Sequence, residues 1–140
     1  MTDDEAIELG KRAVACKGWR WLPGMRVIGM AAGRVQVRLV AQSEDAMAVG
    51  AEWAYGDCYQ ETGLPGPEVV PDLRDPATLG CLLALVREAW GDPTIHLTCV
   101  DSLEAGQYDW SVRSVADKWS SDLLSDSEAH ALVAALEAAP

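Results

Sequence analysis

The stretch from Asp75 to Gly91 constrains the fold more than any other part of the chain. Asp75 has the side chain of an N-cap, Pro76 sits where the first helical residue needs no N–H donor, and Gly91 suits a helix end. Between them Leu79, Leu82, Leu83, Val86 and Trp90 cover one face, and Cys81, Leu85 and Ala89 cover much of the rest. A helix apolar on most of its sides is buried on most of its sides. The pattern predicts the central, most buried helix, set against a sheet. Its apolar run from Leu82 to Val86 falls far short of the ~20 residues a membrane helix needs.

Two further helices are written with caps of their own. Thr2 and Glu5 form a capping box for a helix over Asp3 to Ala15, with Asp3 and Asp4 at its positive end. Ser125 and Glu128 repeat that logic for a last helix over Asp126 to Ala138. There Ala129, Leu132, Val133 and Leu136 fall on one stripe. Strands are expected over Met25 to Met30 and Arg34 to Val40, where Val35, Val37 and Leu39 alternate with Arg34, Gln36 and Arg38. A third strand is expected over Gly50 to Tyr55, and a hairpin over Thr94 to Val100 and Tyr108 to Val115. Residues 56 to 76, punctuated by Gly63, Pro65, Gly66, Pro67, Pro71 and Pro76, read as a long loop. The order predicts one α+β domain over residues 1–140, an antiparallel sheet packed with about three helices as a helix–sheet–helix sandwich.

Net charge is −11, which argues against general nucleic-acid coating. The charge is unevenly spread. Residues 9 to 43 contain no Asp or Glu but carry Lys11, Arg12, Lys17, Arg20, Arg26, Arg34 and Arg38. From Ala41 onward 4 basic residues face 18 acidic ones, a net of −14. Such a split marks either a surface for anions or a set of cations facing the chain's own acids.

Signatures of catalysis are thin. There is no P-loop, GxGxxG, GxSxG or HExxH. His96 lies on an expected strand and His130 beside the stripe of the last helix; both read as structural or surface residues. A Cys–His pair of His96 with Cys99 or Cys16 is selected by nothing in the spacing. Cys16, Cys58, Cys81 and Cys99 form no CxxC pair, so they read as reduced thiols and not as metal ligands. No cofactor, metal or catalytic residue is expected. The chain opens without a basic-then-apolar leader, so a soluble, cytoplasmic protein is expected.

The six tryptophans and three tyrosines, with no phenylalanine, point to binding surfaces. Trp19 and Trp21 flank Arg20 just before the Pro23-Gly24 turn. An indole can stack a nucleobase and an arginine can hold a phosphate by two hydrogen bonds. Trp19, Arg20, Trp21, Arg26 and Arg38 are therefore the expected ligand-binding residues. Against this, Trp21, Trp53, Trp90 and Trp110 can simply fill a core that lacks Phe.

The segment Pro71-Asp72-Leu73-Arg74-Asp75-Pro76-Ala77-Thr78-Leu79-Gly80-Cys81-Leu82, the hairpin after it, and Ser127-Glu128-Ala129-His130-Ala131-Leu132-Val133-Ala134-Ala135-Leu136 resemble small phage and prophage proteins. Trp19 to Met25 resembles their openings, and the wider pattern is similar to the phage ABA sandwich domain. That resemblance implies helices layered around a sheet and assigns no catalytic residue; the segment between Arg26 and Val70 lies outside it. Resemblance and residues together lead to two functional expectations in the cytoplasm of an infected bacterial host. One is a non-enzymatic sponge that sequesters a nucleotide-type signal of host immunity, within a homo-oligomer whose subunits share pockets. The other is an acidic protein–protein inhibitor of a host defence complex, of the anti-CRISPR kind. Neither involves a membrane.

Overall fold

The computed structural model describes residues 1–31, 34–42, 47–51, 59–62, 69–101, 108–115 and 125–140. Three helices and seven strands are described: α1 (Asp3–Ala15), β1 (Arg26–Ala31), β2 (Arg34–Gln42), β3 (Met47–Ala51), β4 (Tyr59–Thr62), β5 (Val69–Pro71), α2 (Pro76–Trp90), β6 (His96–Asp101), β7 (Tyr108–Arg113) and α3 (Glu128–Glu137). The chain is an α+β protein with wholly antiparallel pairing. One sheet has the order β4-β3-β2-β1-β5 and a second consists of β6 and β7. Trp110 of β7 also bridges to Ser125, through mutual backbone hydrogen bonds of 2.7 and 3.0 Å.

β1 explains how the first sheet is held. Val27 and Ile28 are both fully buried although successive strand residues face opposite ways. Val27 joins the main cluster with Leu73, Leu82, Leu85, Val86 and Leu132, whereas Ile28 packs with Ala6 of α1 and Val70 of β5. A strand covered on both faces reads as a continuous apolar run, which Val27-Ile28 supplies.

The capping box at Thr2 and Glu5 is present, and α2 begins and ends as its sequence dictates. The Asp75 side chain accepts from the Thr78 N–H, and Gly91 closes the helix in the left-handed conformation at φ 61°. α3 departs from expectation in two ways. Its N-cap is Ser127, which accepts from the His130 N–H, while Ser125 is committed to the bridge with Trp110. It is also more enclosed than α2, with six of its ten residues buried against four of fifteen. α3 packs against α1, α2 and β7, and Ala129, Ala131 and Ala135 let those neighbours approach closely. Leu82 of α2 is buried while Leu83 is only partly so.

Part of the expected long loop is strand. β4 and β5 lie at the two edges of the larger sheet. β5 is three residues ending at Pro71, and an edge is where proline is tolerated in a strand. The third strand begins earlier than expected, at Met47, and residues 52–55 of that expectation lie outside the described residues, as does Cys58.

Candidate functional site

The Trp19–Arg20–Trp21 segment is set by the way α1 ends. Cys16 caps the helix, and the Trp19 N–H donates to the Cys16 carbonyl at 3.0 Å. Gly18 then passes so close to α2 and α3 that a Cβ there would sit 3.2 Å from Ala89 Cβ and 3.3 Å from Leu136 Cδ1. The segment leaves through a tight turn. The Met25 N–H donates to the Leu22 carbonyl at 3.3 Å, with Pro23 and Gly24 (φ 91°) at its centre. That is the chemistry of a type II turn, which requires positive φ at its third position.

Trp19 and Trp21 are both half-buried and both pack against the main core. Their ring centroids lie 5.4 Å apart with planes at 85°, an edge-to-face pair. Perpendicular rings do not make the two parallel walls that would grip a base on both faces. The Trp19 indole Nε1–H is buried and has no hydrogen-bond partner among the described residues. Arg20, exposed between the two rings in sequence, places Nη2 2.6 Å from Glu88 Oε2.

The other two expected residues lie elsewhere. Arg26 opens β1: its N–H donates to Thr78 Oγ1 at 2.8 Å and its Nη1 lies 3.9 Å from Asp75 Oδ1. Glu88 and Asp75 stand thirteen residues apart on and just before α2, which at ~1.5 Å rise per residue is roughly 20 Å. Arg20 and Arg26 are thus tied to opposite ends of the same helix. Arg38 lies on β2 across from Val27, one step along from the Arg26↔Leu39 pair. Positions 26 and 38 therefore belong to opposite faces of the ladder. The structure sets Trp19 edge-to-face on Trp21 and ties Arg20 and Arg26 to opposite ends of α2.

Other cations of the acid-free segment also meet the chain's own acids. Arg12 holds Glu137 through two hydrogen bonds of 3.0 and 2.8 Å, which raises its pKa above the usual guanidinium value, and Lys11 holds Glu8 at 2.6 Å. Of the five cations in this segment whose side chains are described, only Lys17 has no carboxylate partner among the described residues. A further ion-paired site lies outside the segment. Arg74 Nε bonds the buried Asp72 at 2.8 Å and its Nη1 bonds Asp3, tying β5 to the start of α1. Both hydrogen bonds push the Arg74 pKa upward, Asp72 more strongly.

Among the described residues the histidines and cysteines show no reacting pair. His96 Nδ1 lies 3.1 Å from the Thr94 carbonyl, and Cys99, three positions along the same strand, belongs to its opposite face. Cys16 Sγ donates to the Arg12 carbonyl, and burial is the main cause that pushes its thiol pKa up. Cys81 is raised likewise, by burial first and then by Asp75. A raised thiol is a poor nucleophile. His130 Nδ1 meets both Ser127 Oγ at 2.7 Å and Asp126 Oδ1 at 3.2 Å. A Ser-His-Asp relay needs the serine and the acid on different ring nitrogens, so this trio works as a helix cap.

Sequence reasoning passed over Asp92. This buried carboxylate accepts from the Thr94 N–H at 2.8 Å, the Thr94 hydroxyl at 2.6 Å and the Ser114 hydroxyl, tying the end of α2 to the end of β7. The Asp92-Pro93-Thr94 spacing, an Asx turn, was the available signal. Among the described residues no three of His, Cys, Asp and Glu converge to hold a metal ion, and no helix is long and apolar enough to cross a membrane.

The chain matches no family model, no curated protein and no solved structure. The resemblance to phage proteins rests on the residues quoted for it alone.

Proposed function

We propose that this chain is a non-catalytic binding protein that presents an acidic surface to the basic, nucleic-acid-binding face of another protein. In a phage setting, which the resemblance implies, that partner is a host defence complex. One observation carries the reading: four of the five described cations of the acid-free segment are engaged by carboxylates of the same chain. Arginines already paired are not waiting for a phosphate, while the chain as a whole keeps a net charge of −11. A surface of that sign accelerates encounter with basic partners and repels nucleic acid. The test is competition. Added to a nucleic-acid-binding defence complex, the chain displaces labelled nucleic acid, and displacement weakens as salt rises through the range that screens surface charge. Displacement that is absent at low salt sinks the reading.

A second reading, sequestration of a nucleotide-type small molecule, is favoured by the half-buried Trp19–Trp21 pair beside the exposed Arg20. Arg20 and Arg26 are held by carboxylates that stand roughly 20 Å apart along α2, so these pairings do not bring both to one phosphate. This reading places the pocket between the subunits of a homo-oligomer. Calorimetry against a panel of nucleotide second messengers decides it. Binding that survives Trp21→Ala together with Arg20→Gln removes this segment from any such site.

A further inference from the structure

We draw no further inference here: the strongest candidate, the exposed stripe of small residues formed by Ala77, Gly80 and Ala84 along α2, has no second observation pointing to a ligand, and nothing in the structure shows what covers it.

Discussion

Thr78 is fully buried, and its hydroxyl does two things at once: it accepts from the Arg26 N–H at 2.8 Å and donates to Asp75 at 2.9 Å. One side chain thereby joins the first turn of α2 to the start of β1. Thr78→Val keeps the shape and removes both bonds, leaving a main-chain donor without its partner, at a cost of about 1–3 kcal/mol. Thr78→Ser keeps the hydroxyl and loses one buried methyl, at about 1 kcal/mol. Urea denaturation should rank valine below serine, and equal midpoints for Thr78→Val and the parent would show that the hydroxyl contributes nothing. Glu5 acts at the same scale through charge. The Thr2 N–H donates to its carboxylate at 2.6 Å, and that backbone bond, followed by the Thr2 hydroxyl, lowers its pKa from the ordinary 4.5. A carboxylate lowered in the folded state adds stability that is complete above its unfolded value and is lost as pH falls through its folded one. Glu5→Gln should lower stability at neutral pH slightly and flatten the acid limb below about pH 4.5. An unchanged acid limb would show that the capping box carries no such linkage.

At the scale of elements, α1 reaches β5 through Gly10. A Cβ at that position would lie 2.9 Å from Val70 Cβ and 3.0 Å from the Pro71 carbonyl oxygen. Gly→Ala inside a helix ordinarily stabilises by up to about 1 kcal/mol. Here the obstruction includes main chain, and overpacking of this kind costs about 1–3 kcal/mol, so Gly10→Ala should destabilise. A raised melting temperature for that variant would contradict the contact. The caps of α3 give a paired comparison: Ser127→Ala should cost about 1 kcal/mol as a lost N-cap, and Ser125→Ala much less, because Ser125 is held through its backbone. How far the sequence spoke follows from these elements. α1 and α2 were legible because their signals are local, from Thr2 and Glu5 to Asp75, Pro76 and Gly91. The α3 cap was misplaced by two residues because Ser125 and Ser127 both precede acids, and only the bridge to Trp110 decides between them. β4 and β5 were invisible, since Tyr-Gln-Glu-Thr and Val-Val-Pro gain their pairing from neighbours distant in the chain. The pairing of the expected site's arginines was illegible for the same reason. Arg20 and Arg26 lie close in sequence, but their charges are met by Glu88 and Asp75, partners distant in the chain that local patterns do not contain.

For the whole molecule the question is which electrostatic effect dominates. Exposed ion pairs such as Lys11–Glu8 and Arg20–Glu88 contribute about 0–1 kcal/mol each and weaken with salt. Against them stands a net charge of −11 on 140 residues, whose mutual repulsion acts across the whole surface and is also weakened by salt. The described pairs are few, and each holds two side chains at an entropic cost that offsets its attraction. The repulsion has no such offset and falls as the screening length shrinks from about 10 Å at 0.1 M to about 3 Å at 1 M. Repulsion should therefore win, and added sodium chloride should raise the melting temperature. A fall with salt would mean that the internal pairs, Arg12–Glu137 and the Arg74 network foremost, carry more stability than their exposure suggests. The same salt series separates folding from binding. Association with a basic partner should weaken over the range in which the fold strengthens, whereas a nucleotide held by stacking on Trp19 or Trp21 would lose far less. Opposite slopes for stability and for partner binding are thus the expected signature of an acidic chain whose cations pair with its own carboxylates, and parallel slopes would exclude it.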